Sequence, residues 1–502
     1  MKLNKFEVLD NDEIELIHEK SIQLLEEVGV KVQSKEIRDL LEENGGIVSN
    51  GNEFVKFPED LVMEQLKKVP KNFTLWGPDG TFSFEVNLKS TKFATVGTPV
   101  KIYDPESKKQ VRKSLLKDTI NQIRIVDKLK NIVCSHVDVW PNDVPYIETH
   151  YHSIKAWAEN SFKPFGLGCY GRVASKDMMV LTSIIVGGEE ELKMRPRLIG
   201  FFNPTSPLIL PKIMLNGLSI FAEYNQPIII APAASAGSTA PVTLAGLLVQ
   251  TNMEVLSSIV ITELINPGCP ILYSTMSALM DPPTGNVAWG SMETCLITTG
   301  ASQLAKYYGI PSRGPGAVTE SKCFDVQNGF ERFMTLLFAA GSGINYITCA
   351  GTFESSLSEA LELLVIDDEL IDIIKRGLEG INVSDNTLAI NEIKTVALEN
   401  KNYLMLKHTS KNVRKEILVP KLVDRERRNK WWRNGAKDMI KRAAEKVQQI
   451  LNEQEGPKID PEIDKKLKEY YKIISSRTFD DFRKAEGIDE LDGTENLTGL
   501  EG

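Results

Sequence analysis

Five aromatic residues lie where short apolar runs of the chain end, and they carry the clearest chemical suggestion in the sequence. They are Trp140, Tyr170, Phe202, Tyr273 and Phe353. The face of an aromatic ring attracts a cation that cannot donate hydrogen bonds, so such rings bind quaternary ammonium groups. A single aromatic residue in such a position is more often core packing. A set at the ends of several runs, however, indicates a site for a quaternary amine.

Arg313 is the most informative charged residue. It lies between Pro311 and Gly316 on a predicted barrel strand. A guanidinium there must be paired or must face a ligand, and its planar fork suits a carboxylate. An internal salt bridge with Glu320 or Glu331 is the alternative, and the sequence leaves both open.

Polar residues at other run ends complete the predicted substrate-binding set. His136 and Asp138 are two residues apart on a predicted strand, so their side chains share a face. His136 could orient a substrate or be a satisfied core histidine. Asn203 ends another run. These residues join Arg313 and the five aromatic residues, and no catalytic residue is assigned among them.

No metal site is predicted. His150 and His152 are two residues apart and do not share a helix face, and no nearby cysteine completes a zinc set. They are interpreted as the partly exposed start of a helix. The residues at the run ends are themselves poor in metal ligands.

A repeating pattern of apolar runs and amphipathic helical stretches would position these residues. The seven runs are Ile132–Val139, Phe165–Tyr170, Leu198–Asn203, Ile228–Ala234, Ile271–Met276, Ser312–Val318 and Tyr346–Ala350, and Phe93–Val100 is a candidate eighth. Alternating β and α units imply a parallel sheet, and eight of them close as a (β/α)8 barrel with its site at the C-terminal strand ends. The alternative is an open doubly wound sheet, which the missing G-x-G-x-x-G sequence disfavours.

The flanking regions differ from this repeat. Residues 1–91 predict a helical extension that includes a hairpin, and residues 92–380 form the predicted barrel. Residues 381–489 predict a C-terminal helical extension, and the polar residues 490–502 predict a flexible tail. The N-terminal helices and the helix Asp460–Ile474 are expected to pack outside the barrel.

The composition argues against several classes of protein. The 502 residues carry a net charge of −9, with a pI of about 5.4, which argues against nucleic acid as the main partner. No signal segment is found at the start, and no apolar run approaches the roughly 20 residues of a membrane span. The six scattered cysteines predict reduced thiols. We therefore expect a cytoplasmic protein without a membrane partner. The sequence also contains neither a G-x-S-x-G elbow nor a P-loop, which disfavours hydrolase and nucleotide-dependent functions.

Several longer segments resemble the trimethylamine methyltransferase family. They are His18–Val32 (HEKSIQLLEEVGVKV), Asn203–Leu208 (NPTSPL), Ser238–Leu248 (STAPVTLAGLL), Asn266–Ser274 (NPGCPILYS), Glu320–Glu331 (ESKCFDVQNGFE), Leu361–Glu369 (LELLVIDDE) and Lys437–Leu451 (KDMIKRAAEKVQQIL). The segments occur in order over nearly the whole chain. The resemblance is therefore specific for the family, although not for the substrate.

The resemblance implies a (β/α)8 barrel that moves a methyl group from a methylamine to the Co(I) corrinoid of a small separate protein. Archaeal trimethylamine enzymes of this family contain pyrrolysine, whereas this chain contains only the twenty ordinary residue types. It therefore resembles the non-pyrrolysine branch, whose members demethylate glycine betaine, proline betaine and carnitine. No tightly bound cofactor is implied, because the partner protein carries the cobalamin as methyl acceptor. A homo-oligomer is expected by analogy.

The chemistry of quaternary amines agrees with this interpretation. A quaternary amine leaves as a neutral tertiary amine, so its demethylation needs neither a proton nor a metal at the leaving group. Because the partner supplies the nucleophile, the enzyme chiefly has to orient its substrate. We expect a carboxylated quaternary amine like glycine betaine, with Arg313 holding the carboxylate. The alternatives are a zinc-dependent corrinoid methyltransferase for another methyl donor and a non-catalytic betaine-binding protein.

Overall fold

Eight short parallel strands close into one barrel in a computed structural model of the protein, which describes residues 6–49, 51, 53–95, 99–137, 139–453 and 456–487. In chain order the strands β1 to β8 are Lys92–Ala94, Ile132–His136, Phe165–Gly168, Leu198–Phe202, Ile228–Ile230, Ile271–Ser274, Ser312–Pro315 and Tyr346–Thr348. Seven of the predicted runs contain one strand each, β1 begins one residue before the eighth run, Phe93–Val100, and β2 pairs with β3 to complete the ring. The predicted (β/α)8 barrel is confirmed, and the open sheet is wrong.

One helix follows each strand and packs on the outside of the barrel. The helices α1 to α8 are Leu116–Lys128, Thr149–Asn160, Gly171–Val186, Lys212–Glu223, Leu244–Ile265, Met292–Tyr308, Val326–Gly341 and Leu361–Glu379. Side chains that precede a helix set some of its starts. Ser291 caps α6 and Asp325 caps α7, each by accepting a hydrogen bond from the third residue of the helix. The helical pattern of the sequence extends over Trp289–Tyr308 and predicts an earlier start for α6, which is wrong, because Trp289 belongs to the preceding loop.

Helix α5 contradicts the expectation that no apolar stretch of the chain approaches the length of a membrane span. It has 22 residues and is long and apolar enough to cross a membrane, although 72% of its most apolar window is buried inside the fold. The sequence predicts a helix over Val242–Leu264, but its unbroken apolar run covers only Leu244–Val249, because Thr251, Asn252 and Glu254 interrupt the apolar letters. These polar residues are buried as well, so α5 is a core helix that is surrounded on most sides.

Side chains along each strand alternate between the barrel lumen and the surrounding helices. Ile199, Ile229, Leu272 and Tyr346 come from four different strands and form one apolar cluster in the lumen. A hairpin, Asn72–Trp76 with Ser83–Asn87, adds Phe73, Leu75, Phe84 and Val86 to the same cluster. The ring of Phe84 stacks on that of Tyr346 with the centroids 6.3 Å apart. The hairpin therefore closes the N-terminal end of the barrel, and the C-terminal end forms the mouth.

Two small sheets surround the mouth. One joins strands from the loops after β1 and β8, namely Lys101–Tyr103, Val111–Lys113, Thr352–Phe353 and Ser358–Glu359. The other joins strands from the loops after β5 and β6, namely Ser235–Ala236, Ala278–Met280 and Val287–Ala288. These loops are thus held in a fixed arrangement above the lumen.

The N-terminal region contains the expected helices and hairpin together with three short strands that were not predicted. Its helices are Asn11–Glu27, Lys35–Glu43 and Glu59–Leu66. Its strands Val30–Val32, Ile47–Val48 and Phe54–Lys56 form a sheet with Ile209–Leu210 of the barrel. Strands of two or three residues are too short for an alternating pattern to be recognised in the sequence.

The C-terminal region is helical, as predicted. Its helices are Asp385–Leu388, Ile390–Glu399, Lys407–Glu416, Arg428–Arg433, Met439–Glu453, Pro461–Ser475 and Phe479–Glu486. The helix Pro461–Ser475 packs on the outside of the barrel, where Tyr470 donates a hydrogen bond to Asp177 of α3 at 2.7 Å. The predicted tail, residues 490–502, lies outside the described residues.

Candidate active site

A cavity of about 520 Å³ lies at the mouth of the barrel. Side chains at the C-terminal ends of the strands and from the loops above them surround it. The described lining residues are His136, Val137, Gly166, Leu167, Gly168, Tyr170, Phe201, Asn203, Thr205, Met214, Ala233, Met276, Trp289, Arg313, Ser355, Ser356 and Leu357. The structure thus brings together four residues of the predicted set, which are Arg313, His136, Tyr170 and Asn203.

Arg313 projects from β7 into this cavity and is almost completely buried. One terminal nitrogen donates to Ser274 Oγ at 3.4 Å and to the Thr275 carbonyl at 3.3 Å, and the other donates to Thr348 Oγ1. Its Nε has no hydrogen-bond partner among the described atoms. Burial lowers the pKa of Arg313 to about 10, so the side chain remains charged at neutral pH.

No carboxylate pairs with Arg313 among the residues that the structure describes, which do not include Asp138. The two candidates named from the sequence have other partners. Glu320 accepts from the Gly290 backbone at 2.8 Å, and Glu331 accepts from Thr319 Oγ1 at 2.6 Å. The salt-bridge alternative with either residue is therefore wrong.

His136 lies on β2 across the lumen from Arg313. Its Nε2 is 3.0 Å from the Tyr346 hydroxyl, and its backbone N–H donates to Thr95 Oγ1 at 2.9 Å. Burial, with a smaller effect from the nearby Arg313, lowers the pKa of His136 to about 3. The imidazole is therefore neutral at physiological pH. Gly166 makes room for it, since a Cβ at that position would lie 1.9 Å from His136 Nδ1.

Three aromatic side chains line the cavity, and two of them were missed by the sequence analysis. Tyr170 belongs to the predicted set, whereas Phe201 and Trp289 do not. Alternation along β4 could have identified Phe201, because it shares a strand face with the polar Asn203 and Phe202 does not. Trp289 carried no such signal, because its loop was assigned to a helix.

The other predicted aromatic residues do not line the cavity. Phe202 points from β4 into the outer core, and Tyr273 from β6 donates a hydrogen bond to Asn252 of α5 at 2.8 Å. Phe353 belongs to the short strand Thr352–Phe353 of one mouth sheet and is buried, with its ring centroid 5.6 Å from that of Phe324. Trp140 lies in a small adjoining apolar pocket, where it packs edge-on against Tyr170. The expectation that these four rings face the cavity is corrected by their positions.

The loop after β4 is held in place by a buried carboxylate. Glu254 of α5 accepts hydrogen bonds from Ser206 Oγ at 2.8 Å and from the Leu208 backbone at 2.9 Å. Asn203, at the start of this loop, donates to the Ala231 carbonyl at 2.7 Å. The Thr205 backbone also pairs with that of Ile209, so these hydrogen bonds hold Asn203 and Thr205 in the cavity wall.

A second carboxylate fixes the loop that carries Trp289. The indole Nε1 of Trp289 donates to the Met276 carbonyl at 2.9 Å, and Glu320 accepts from the next backbone N–H, that of Gly290. A Cβ at Gly290 would lie 2.7 Å from Glu320 Oε2. Burial raises the pKa of Glu320 to about 6, against the opposing effect of the Gly290 hydrogen bond, and Glu331 raises it further.

The KM for a substrate bound in this cavity is expected to rise several-fold as the pH falls through about 6, because protonated Glu320 holds the Trp289 loop less well. Because its pKa is raised, ionised Glu320 lowers the free energy of unfolding above about pH 6. This destabilisation disappears as the pH falls and the group becomes protonated. In Glu320→Gln, which keeps an acceptor but cannot titrate, the KM is expected to be constant between about pH 5 and 7.5. A KM that still rises in this variant would assign the effect to another group.

No three His, Cys, Asp or Glu side chains within the described chain are placed to hold a metal ion. The two histidines considered from the sequence have separate environments. His150 is buried, not partly exposed as expected, and its Nε2 is 3.0 Å from Asp177 Oδ2. His152 is half-buried, with its Nε2 3.5 Å from Glu148.

The fold and the cavity define a barrel enzyme that binds a small molecule at the C-terminal ends of its strands. Residues 1–477 match the family model described as trimethylamine methyltransferase. The chain is 32% identical to a glycine betaine methyltransferase of Desulfitobacterium hafniense, over 93% of this chain and 97% of that protein. It is 31% identical to a trimethylamine methyltransferase of the same species, over 88% of each chain.

The fold of a solved structure agrees with this result. The crystal structure of the Methanosarcina barkeri monomethylamine methyltransferase matches with a TM-score of 0.50 and 13% identity, and covers 90% of each chain. This likeness concerns the fold alone. The chain belongs to the trimethylamine methyltransferase family, and it is a methyltransferase.

Proposed function

We propose that this enzyme demethylates a carboxylated quaternary amine of the glycine betaine type and passes the methyl group to the Co(I) corrinoid of a partner protein. The observation that carries this proposal is the buried charge of Arg313. A buried guanidinium that has no acidic partner among the described residues is costly unless a ligand compensates it. A substrate carboxylate provides the planar, bidentate acceptor that fits the fork.

The charge balance of the cavity supports a zwitterionic substrate. Among the described lining residues Arg313 is charged and His136 is neutral, and none is Asp, Glu or Lys. A protonated methylamine or a choline-like cation would enter next to an uncompensated positive charge. A betaine brings its own carboxylate, which would lie between Arg313 and the ammonium group. The relatives of similar identity include both betaine and trimethylamine enzymes, so the support for a betaine comes from the charge balance of the cavity.

The aromatic wall supports a quaternary ammonium group in the same substrate. Phe201, Tyr170 and Trp289 present ring faces or edges to the cavity, and Met214 and Met276 add polarizable sulfur. The guanidinium carbon of Arg313 is 4.9 Å from the Phe201 ring centroid. A carboxylate on Arg313 would therefore bring an ammonium group one or two carbons away close to this wall, where cation–π attraction stabilises it.

The reaction needs little from the protein beyond orientation. The nucleophilic Co(I) centre supplies the electron pair of the new bond to carbon, and the electron pair of the broken C–N bond stays on nitrogen. The amine leaves as a neutral tertiary amine, so no proton is consumed. The roles of this chain are to hold the carboxylate, to surround the ammonium group and to direct one N-methyl group towards the mouth. The corrinoid is a co-substrate that approaches from that side.

Turnover of a panel of amines with Co(I) cobalamin as acceptor tests the proposal. Loss of the Co(I) absorption spectrum with glycine betaine, proline betaine or carnitine, but with neither choline nor trimethylamine, is the expected result. Equal activity with trimethylamine would contradict the carboxylate requirement. Binding of a betaine without any demethylation, also in the presence of its corrinoid protein, would contradict the assignment of the substrate.

The aromatic wall can be tested by a matched pair of neighbouring residues. Phe201→Leu and Trp289→Leu are each expected to raise the KM for every quaternary amine about 2- to 30-fold, which corresponds to about 0.5–2 kcal/mol of lost cation–π attraction. Phe202→Leu is the control, because this ring lies in the outer core. It should lower stability and leave the KM unchanged. An equal rise of the KM in the control would remove the wall from the binding site.

A further inference from the structure

The last described helix, Phe479–Glu486, packs against the wall of the barrel next to the active site, and we call it the strap. It begins after residues 1–477, the part of the chain that matches the family model. Two of its side chains, Phe482 and Glu486, are buried, and the others are exposed or half-buried. Both buried side chains lie against the beginning of α3, since Phe482 shares a pocket with Ala174 and Glu486 bonds to the helix backbone.

The carboxylate of Glu486 caps the N-terminus of α3. Its oxygens accept hydrogen bonds from the backbone N–H groups of Arg172 at 2.9 Å and of Val173 at 2.8 Å. A carboxylate is stabilised there, because the first N–H groups of a helix have no partner within the helix. Gly171 leaves space for it, since a Cβ at that position would lie 2.7 Å from Glu486 Oε1. The strap therefore fixes the backbone directly after Tyr170.

A second anchor lies where the strap begins. Arg477 forms a two-pronged ion pair with Asp177 of α3, with Nη2 3.0 Å from Oδ1. Asp177 is almost completely buried. Thr478 then caps the strap itself, because its Oγ1 accepts from the Asp481 backbone at 3.2 Å. The strap is thus attached to α3 at both of its ends.

The ring of Tyr170 lies between the main cavity and the small apolar pocket beside it. This pocket has a volume of about 20 Å³ and shares Val137, Leu167 and Tyr170 with the main cavity. Gly168 makes room for the ring, because a Cβ there would lie 2.2 Å from Tyr170 Cε1. Phe482 belongs to the described lining of the small pocket and not to that of the main cavity. The strap therefore lies behind the Tyr170 ring as seen from the main cavity.

We propose that the strap sets the size of the amine that the enzyme accepts, by holding Tyr170 in place between the main cavity and the small pocket. Glu486 is a positioning residue and Phe482 a specificity-determining residue. Removing the Phe482 ring would let Tyr170 turn into the vacated volume and would join the two spaces. The joined space would admit a bulky apolar substituent on the ammonium nitrogen, such as a benzyl group. This inference rests on the proposed function, a carboxylated quaternary amine as substrate.

Turnover of two substrates of different size tests the role of Phe482. The pair is glycine betaine and N-benzyl-N,N-dimethylglycine, in which a phenyl ring replaces one hydrogen of an N-methyl group. In Phe482→Ala the ratio of kcat/KM for the benzyl compound to kcat/KM for glycine betaine is expected to rise about tenfold or more, because the joined space buries the ring. Phe479→Ala is the matched control, since Phe479 lies on the same helix and is 39% exposed. Its ratio should equal that of the wild type.

Tyr170→Ala opens the same wall from the side of the main cavity and should raise the ratio as well. A substitution that only loosens the fold would lower both values of kcat/KM together and leave their ratio unchanged. An unchanged ratio in either folded variant, in an enzyme that turns over glycine betaine, would therefore overturn the proposal. A wild type that turns over no carboxylated quaternary amine would instead contradict the proposed function.

Backbone hydrogen exchange in α3 tests the role of Glu486 without any substrate. In Glu486→Ala the N–H groups of Arg172 and Val173 lose their acceptor and are expected to exchange about tenfold faster or more. The KM for glycine betaine should rise several-fold at an unchanged kcat, because Tyr170 is held less well. Glu486→Gln, which keeps one acceptor oxygen, should restore part of both effects. Unchanged exchange in Glu486→Ala, or a KM that Glu486→Gln does not restore, would overturn the positioning role of Glu486.

Discussion

Replacing Arg313 with methionine is expected to raise the KM for a carboxylated quaternary amine by about ten- to a hundredfold. The substitution keeps the length and apolar contacts of the side chain and removes its charge. A hydrogen bond to a charged group contributes about 1.5–3 kcal/mol, and each 1.4 kcal/mol is a factor of ten. Steady-state kinetics with glycine betaine, or with whichever betaine is turned over best, measure the effect.

A quaternary amine without a carboxylate is the control for this variant. Choline, which the wild type is not expected to demethylate, should bind more tightly to Arg313→Met than to the wild type, because a like charge has been removed from the cavity. The variant should also resist denaturant at least as well as the wild type, since it no longer buries a cation that lacks an acidic partner among the described residues. An unchanged KM for the betaine, weaker binding of choline, or unfolding of the variant would make Arg313 a structural residue.

The barrel could be predicted from the sequence because its strands are buried on both faces. Ile228–Ile230 contacts the lumen on one side and helices on the other, so it appears as a continuous apolar run. The same feature made the predicted runs too long. Ala231 and Ala234 continue the apolar letters, but the hydrogen-bonded ladder of β5 has already ended at Ile230. The boundary depends on the partner strands, which a single run does not encode.

The site was predicted only in part, for two different physical reasons. Arg313 and His136 were identifiable because polar residues on buried strands are rare and must face a partner or a ligand. Phe202 was chosen instead of Phe201 because both are apolar, and only the alternation set by Asn203 distinguishes them. The position of Trp289 in the cavity could not be predicted from the sequence. Its place in the cavity depends on Glu320 and on the small sheet that pairs Ala278–Met280 with Val287–Ala288, and no local pattern in the sequence records these contacts.

The largest loss of stability is expected at the second fully buried arginine, Arg332 of α7. Its guanidinium forms a two-pronged ion pair with Asp367 of α8, with Nε 3.1 Å from Oδ1, and it also donates to the Thr352 carbonyl. Asp367 accepts in addition from the Gly351 backbone at 2.7 Å. The pair therefore connects two barrel helices to the start of the loop that carries Ser355, Ser356 and Leu357 into the cavity wall.

Arg332→Met is expected to lower the free energy of unfolding by about 3–5 kcal/mol, because it leaves Asp367 as a buried charge without its cation. The same substitution at Arg313 is the matched comparison, since both arginines are fully buried in the one barrel and Asp367 of the described chain pairs with only one of them. Chemical denaturation measures the free energy of unfolding of both variants.

Adding Asp367→Leu to Arg332→Met should restore part of the loss, because the double variant no longer buries an unpaired carboxylate. The restoration is partial because the Gly351 N–H then lacks its acceptor. Equal stability of Arg332→Met and Arg313→Met would mean that the ion pair contributes nothing to the fold, and the division of these two arginines into a structural and a substrate-binding residue would then be wrong.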